Sequence, residues 1–193
     1  MPFLLDPVRP AGSMSQLTQP VIDVDGVDLR LRPWRRTDAD AVIAAFDDPD
    51  IQRWHTRRMD SVEEAHEWID SWPERWHAET DAGWAIADAQ SDEALGQIGL
   101  RTIRLGIGEA QISYWMRPDS RGRGYATAAC RALSDWTFSA LQMHRLVILH
   151  STRNASSCVV TEKAGYPLEA TLRDYLLHQD GWHDTHVHTR LAE

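Results

Sequence analysis

Arg121-Gly122-Arg123-Gly124-Tyr125-Ala126 is the stretch that decides how this chain folds. The apolar run before it, at 111–116, is typical of a strand, and residues 126–141 carry apolar side chains at helical spacing. Glycines let a backbone approach an anion, consecutive N–H groups converge on it, and a helix start adds partial positive charge. The order of strand, loop and helix therefore predicts a phosphate-binding turn, although these six residues alone are equally compatible with a solvated turn.

Two common nucleotide-binding motifs are absent from this loop. It lacks the Gly-x-x-x-x-Gly-Lys-Ser/Thr pattern, so a nucleoside-triphosphate P-loop is not supported. It also lacks Gly-x-Gly-x-x-Gly followed by an acidic ribose ligand, which disfavours a dinucleotide site. A different phosphate-containing ligand is therefore expected.

The loop resembles the pyrophosphate-binding loop of the GNAT N-acetyltransferases, which has the form Arg-Gly-x-Gly-x-Ala. A second segment, Asn154-Ala155-Ser156-Ser157 followed by Glu162-Lys163-Ala164-Gly165-Tyr166, resembles Asn-x-x-Ser…Glu-Lys-x-Gly-Phe. That pattern belongs to the branch that includes the ribosomal-protein-alanine N-acetyltransferases. The two motifs occur in the expected order, and the resemblance spans roughly residues 27–191. It implies an acetyl-CoA-dependent N-acetyltransferase in which an amine attacks the thioester directly.

The resemblance also implies how the co-substrate, acetyl-CoA, is bound. The loop would hold the pyrophosphate through backbone N–H groups, and the strand before it would offer backbone groups to the pantetheine arm and the thioester carbonyl. The implied cofactor-binding residues are Trp115, Met116, Arg121, Gly122, Arg123, Gly124, Tyr125, Ala126 and Asn154. Core packing is the alternative role for Tyr114 and Trp115, and for Trp115 it is the favoured one.

The catalytic group is implied to include Ser157 and Tyr114. Ser157 would protonate the departing coenzyme A thiolate, for which a hydroxyl suffices because it need only be positioned to donate. The alternative interpretation is an ordinary helix cap at Asn154 with a serine nearby.

The sequence leaves the general base open. Relatives in this branch often carry a Glu three residues before the tyrosine of the Tyr-Trp pair, where this chain has Gln111, which cannot accept a proton. Glu109 lies on the same strand face and is predicted to substitute, the alternative being a solvated strand-end carboxylate. His55 is a rival base, or a plain surface histidine. It lies beside Trp54 in the segment that shapes the amine pocket of similar proteins.

Tryptophan is abundant, with nine in 193 residues. Trp68, Trp72 and Trp76 lie four residues apart on one face of a predicted helix, although Pro73 is expected to kink or end that helix. A Trp-lined pocket could hold an N-terminal residue or an aromatic or cationic amine. A stripe of aromatics at helical spacing nevertheless favours packing.

Length and pattern predict one domain at 23–193 after a flexible leader at 1–22 that is rich in proline and glycine. Strands first, followed by strand–helix–strand–helix and a last hairpin around Asp180-Gly181, imply a mixed α/β or α+β sheet of six or seven strands flanked by helices, as in the GNAT fold. A formal charge of −9 disfavours nucleic-acid binding. No apolar run approaches a membrane span and the opening is too short for a signal peptide, so we expect a cytoplasmic protein.

Four late histidines suggest a metal site: His178, His183, His186 and His188. His186 and His188 share a strand face, but no Cys or carboxylate set completes a tetrahedral site, so no metal is predicted. Cys130 and Cys158 are expected to be buried free thiols, neither beside an activating base.

The sequence does not distinguish a protein N-terminus from a small molecule as the acceptor amine. Dimers are common among similar proteins, so a homodimer is one expected assembly. A non-catalytic acyl-CoA-binding regulatory module is a further alternative, because of Gln111.

Overall fold

A computed structural model describes residues 4–193 and shows helices packed on both faces of an eight-stranded sheet in the order β1-β2-β3-β4-β5-β6-β8-β7. Neighbouring strands are antiparallel except for β5 and β6, which are parallel. The strands are β1 (Ile22–Val24), β2 (Leu29–Pro33), β3 (Ala82–Asp88), β4 (Ala94–Arg104), β5 (Glu109–Met116), β6 (Arg145–Ser151), β7 (Leu168–His178) and β8 (Gly181–Leu191).

The predicted mixed sheet is confirmed, but the count of six or seven strands is wrong. The additional strand is β1, which pairs antiparallel with β2 at the edge of the sheet. It has three residues, too few to display the alternation from which strands are recognised.

The helices are α1 (Ala39–Phe46), α2 (Pro49–Trp54), α3 (Val62–His77), α4 (Tyr125–Ala140) and α5 (Ala155–Lys163). The helix predicted at 126–141 is confirmed as α4. Of the two outcomes expected for Pro73, a kink or an end, the end is wrong, because α3 continues past this proline to His77. Within residues 4–193, no helix is long and apolar enough to span a bilayer.

The core lies in two layers, one on each face of the sheet. One layer packs α4 against the strands and contains Leu31, Ile98 and Leu133. The other packs α1 and α3 against the opposite face and is rich in aromatic rings: Trp34, Phe46, Trp68, Trp72 and Trp115. The tryptophans of α3 are therefore core residues, as the favoured interpretation predicts, and Trp115 is only 6% exposed.

The segment before β1, for which the sequence predicts flexibility, packs against α3 in its described part. The side chain of Met14 is fully buried. The Glu79 carboxylate accepts hydrogen bonds from the backbone N–H groups of Gly12, Met14 and Ser15 at 2.7–2.9 Å. The Trp76 indole donates to a carbonyl of the same segment at Leu17 (2.9 Å). This segment therefore covers one end of the core.

A gap in the sheet positions the functional site. β5 and β6 pair at only four positions, which end at Ile112 and Ile148. Beyond them β5 stays on β4 as far as Met116, and β6 stays on β8 as far as Ser151. The two parallel strands thus separate towards their carboxyl ends, where open α/β sheets commonly bind ligands.

Candidate active site

A cleft of about 720 Å³ opens where β5 and β6 separate. α2, the end of β5, the loop before α4 and the start of α5 form its walls. Nearly all of the site residues predicted from the sequence line it: Trp54, His55, Tyr114, Trp115, Met116, Arg121, Gly122, Gly124, Tyr125, Ala126, Asn154 and Ser157. The cleft thus brings together two motifs that lie about thirty residues apart in the sequence.

The loop before α4 depends on the backbone freedom of two glycines. Gly122 and Gly124 have φ angles of 75° and 78°, which side-chain-bearing residues rarely adopt. A Cβ at either position would meet no atom of residues 4–193 within 4 Å, so conformation, and not space, requires glycine there. No side chain of residues 4–193 caps α4. Tyr125, Ala126 and Thr127 of its first turn line the cleft, and among the described residues their N–H groups have no competing side-chain acceptor.

Arg121 ties this loop to α2. Its guanidinium donates to Asp48 at 2.5 Å and to Asp50 at 3.2 Å, and its Nε donates to the Met116 carbonyl at 3.1 Å. Burial acts to raise the pKa of Asp48, but the hydrogen bonds from Arg121 and from the Ile51 N–H outweigh burial, and the pKa is lowered. Asp48 also caps α2, so one ionised carboxylate holds the helix and the loop together.

Arg123, predicted to bind pyrophosphate, is not among the residues that line the cleft. Its guanidinium lies 6.0 Å from the centroid of the Tyr125 ring. Sequence reasoning also missed two cations in the cleft wall, Arg153 and Lys163. Asp48 and Asp50 pair with Arg121, and Asp180 pairs with Arg153 at 3.2 Å. Among the described residues, Lys163 is therefore the one cation of the cleft wall without a carboxylate partner.

Two hydroxyl groups, those of Tyr114 and Ser157, reach the cleft from opposite walls. The Tyr114 phenol donates to the backbone carbonyl of Ser157 at 3.5 Å, a long hydrogen bond that brings β5 against the first turn of α5. Burial raises the pKa of Tyr114 well above its usual range, so the phenol stays protonated. Asn154 caps α5 by accepting from the Ser157 N–H at 3.1 Å, and both residues of this cap also line the cleft.

His55 is the only imidazole that lines the cleft among the described residues. Burial, followed by the positive charges of Arg101 and Arg57, lowers the pKa of His55 to about 4. The ring is therefore neutral near pH 7. It can accept a hydrogen bond or a proton, but it is a weak base.

Glu109 does not reach the cleft, in contrast to the sequence prediction. It lies at the first position of β5, about 16 Å along the strand from Tyr114. Its carboxylate pairs with Arg104 and with Arg145, the latter at 3.7 Å. Gln111 is also absent from the cleft lining. The alternative interpretation of Glu109, a charged residue at a strand end, fits this position.

One sequence argument about the cysteines is wrong. Cys158 has an imidazole beside it, since its Sγ lies 3.4 Å from Nδ1 of His186. The sequence analysis predicts no metal site because no cysteine completes the set of late histidines. The contact between Cys158 and His186 contradicts that argument. Cys130 is buried as predicted, whereas Cys158 is only partly buried. The contact was missed because α5 and β8 meet only through the fold.

Comparison with known proteins agrees with this geometry. Residues 28–167 match the family described as "Acetyltransferase (GNAT) domain". The chain is 26% identical over 171 residues to the uncharacterized N-acetyltransferase YoaA of Bacillus subtilis. This match covers 88% of this chain and 96% of YoaA. It is 34% identical over 89 residues to YdaF of Bacillus subtilis, provisionally named a ribosomal N-acetyltransferase, covering 46% of this chain and 49% of YdaF.

A solved structure shows the same fold with a ligand related to coenzyme A. RimJ of Mycobacterium smegmatis, in complex with CoA-disulfide, superposes with a TM-score of 0.81 at 25% identity. The match covers 90% of this chain and 86% of RimJ. The cleft between β5 and β6, the glycine loop at the start of α4 and the family match over most of the chain lead to one conclusion: this chain belongs to the GNAT acetyltransferase family and is an N-acetyltransferase that uses acetyl-CoA.

Proposed function

We propose that this enzyme acetylates an α-amino group and that its preferred acceptor is the N-terminus of a protein. The observation that carries the proposal is the cleft itself, which places the glycine loop, two hydroxyls and one neutral imidazole around a common space. The acetyl-transfer reaction is inferred from membership of the family, and the preference for one class of amine is inferred from the residues of this cleft.

The loop and the start of α4 would bind the pyrophosphate of acetyl-CoA. Their uncapped N–H groups and the partial positive charge of the helix start favour an anion. Lys163 in the opposite wall would add attraction for phosphate groups. Because β5 beyond Ile112 has no partner on its β6 side, its backbone groups are available to the pantetheine arm and the thioester carbonyl.

The reaction forms one bond and breaks one. The lone pair of a neutral amine attacks the thioester carbon, the new C–N bond forms, and the C–S bond breaks to release the thiolate. The excess proton on nitrogen passes to His55 or to solvent. The Ser157 and Tyr114 hydroxyls are weaker acids than a thiol, so they would stabilise the departing sulfur by donating hydrogen bonds, for which the Tyr114 phenol exchanges its long bond to the Ser157 carbonyl for one to sulfur. A proton from solvent completes coenzyme A.

Because His55 has a low pKa, it is too weak a base to deprotonate a strongly basic amine, and this favours acceptors that are already partly neutral. An α-amino group has a pKa near 7.8, so roughly a third of it is already neutral at about pH 7.5. An ε-amino or polyamine nitrogen with a pKa of about 10.4 is neutral to only about 0.1% at that pH. A base with a pKa of about 4 cannot make up this difference, which favours the α-amino group. The name of YdaF is consistent with a ribosomal protein as the acceptor.

The test compares kcat/KM for three acceptors at one pH: a peptide with a free N-terminal alanine, the same peptide N-terminally blocked but containing a lysine, and spermidine. Release of the coenzyme A thiol is measured. We expect the free N-terminus to exceed the other two by at least about tenfold. Faster acetylation of spermidine or of the lysine would contradict the proposal.

A further inference from the structure

A second cluster of reactive side chains lies behind the cleft, on the far side of α5. It consists of His150 at the end of β6, His186 and His188 on β8, and Cys158 on α5. His150 and His186 are directly opposite each other on paired strands, and His188 lies two residues further along the same face. Cys158 comes from the helix that crosses this face. Two strands and one helix thus converge on a single point.

The hydrogen bonds of two histidines fix their tautomers. Nδ1 of His150 lies 2.9 Å from the Ser151 carbonyl, and Nδ1 of His188 lies 2.9 Å from the Tyr166 carbonyl. A carbonyl can only accept, so each Nδ1 carries the proton and each Nε2 carries a lone pair. This arrangement, in which a backbone carbonyl orients the ring through one nitrogen, is typical of histidines that bind a metal through the other.

Both of these Nε2 atoms are buried without a hydrogen-bond partner among the described residues. A buried polar atom without a partner loses its hydrogen bonds to water and gains nothing in return, and such atoms are rare in folded proteins. Two of them lie in this one cluster. A ligand that accepts electron pairs would satisfy both at once.

The spacing suits a four-coordinate metal ion. The four donor atoms all lie within 4.8 Å of one another, and Cys158 Sγ is 3.4 Å from His186 Nδ1. Tetrahedral zinc with bonds of 2.0–2.3 Å separates its donors by about 3.5 Å. Shifts of less than about 1 Å would therefore bring the set to ligating geometry.

We propose that His150, Cys158, His186 and His188 bind a zinc ion in a closed, structural four-coordinate site. One thiolate and three neutral imidazoles match the mixture of sulfur and nitrogen donors that zinc prefers. Four protein ligands leave no open position for water or substrate, so the ion does not take part in acetyl transfer. On binding, the Cys158 thiol releases its proton to solvent.

The site would fix α5 to β6 and β8. Cys158 directly follows Ser157, and Asn154 caps the same helix. An ion held between this helix and two strands therefore sets the position of the wall that carries Ser157 and closes one side of the cleft. Loss of the ion is expected to lower the thermal stability of the whole chain, because zinc bound only in the folded state adds to folding free energy.

The experiment uses the full chain without an affinity tag of histidines. We expect about one zinc per chain by elemental analysis after purification. Replacement by Co²⁺ should give the thiolate-to-cobalt charge-transfer band and the intense visible bands of a tetrahedral site. The band should vanish in Cys158→Ser and persist in the matched control Cys130→Ala, since Cys130 is fully buried in the core and is not one of the four donor side chains.

Thiol labelling of the wild type needs no variant and so remains informative if Cys158→Ser fails to fold. With zinc present, Cys158 should react at least about tenfold more slowly than after chelation, whereas Cys130 stays protected in both states. A wild type that binds neither zinc nor Co²⁺ at one per chain, or whose Cys158 labelling is unchanged by chelator, would overturn the proposal.

Discussion

At the scale of single residues, His55 links the cleft to the stability of the fold. Its pKa is about 4 in the folded chain, against a usual value near 6.5 for an unfolded one. Between these two pH values the unfolded chain binds a proton that the folded chain does not. The free energy of unfolding should therefore be at its full value above pH 6.5 and fall as the pH drops towards 4, by up to about 3 kcal/mol.

The measurement is denaturant unfolding of the wild type and of His55→Gln at pH 7 and at about pH 4.5. The variant lacks the titrating group, so its stability should decrease less between the two pH values. An identical decrease in both proteins would show that His55 does not titrate as proposed.

Tyr114 and Ser157 are expected to act on the leaving group and not on acetyl-CoA binding. Both hydroxyls line the cleft, and the phenol lies against the first turn of α5. Tyr114→Phe and Ser157→Ala should each lower kcat by about tenfold or more and leave the Kd for acetyl-CoA within about threefold.

Glu109→Gln is the comparison variant for these two, because that carboxylate pairs with Arg104 and Arg145 at the other end of β5. Its kcat and its pH profile should match those of the wild type. If Glu109→Gln were inactive while both hydroxyl variants stayed fully active, Tyr114 and Ser157 would have no role at the leaving group and Glu109 would be the essential residue.

At the scale of secondary-structure elements, the loop before α4 is held by backbone conformation. A side chain at Gly122 or Gly124 would meet no neighbour but would have to adopt a left-handed φ, at a cost of about 1 kcal/mol or more. The loop is expected to relieve this strain by changing shape. Gly122→Ala combined with Gly124→Ala should therefore weaken acetyl-CoA binding by at least about tenfold, measured by calorimetry.

Gly26 provides a matched control. It has a φ of 76° and equally open surroundings, but it lies in the turn between β1 and β2. Gly26→Ala should lower stability by a similar amount and leave the Kd unchanged. Equal losses of affinity in both proteins would mean that the effect comes from general destabilisation.

The sequence predicts a secondary-structure element well where all the residues that indicate it are adjacent in the chain. The loop at 121–126 identifies the end of β5 and the start of α4, because glycine, arginine and helical spacing are adjacent in the chain. The last hairpin is confirmed for the same reason, since Asp180 lies between β7 and β8 and Gly181 begins β8. β1 was missed because three residues carry no periodicity.

The sequence could not predict features that depend on strand register or on contacts between elements distant in the chain. Glu109 shares a strand face with Gln111, but only the fold shows that the cleft opens at the other end of β5. The contact between Cys158 and His186 requires α5 to cross β8, and residues 28 positions apart give no local sign of this. The neutral state of His55 likewise depends on burial near Arg101.

At the scale of the whole molecule, the segment before β1 closes one end of the core. The three N–H groups that donate to Glu79 attach this segment to the turn after α3, the Trp76 indole attaches it to α3 itself, and the Met14 side chain is buried in the core. Met14→Ala should lower the free energy of unfolding by about 2–5 kcal/mol because it leaves a cavity. A change below about 0.5 kcal/mol in denaturant unfolding would show that the segment contributes nothing to the core.

The central claim is that the uncapped start of α4 and its glycine loop bind the pyrophosphate of acetyl-CoA, and a crystal structure of the full chain with coenzyme A tests it most directly. We expect pyrophosphate oxygens within hydrogen-bond distance of backbone N–H groups between residues 122 and 127, with the sulfur between Tyr114 and Ser157. A pyrophosphate bound elsewhere, with those N–H groups facing solvent, would contradict it.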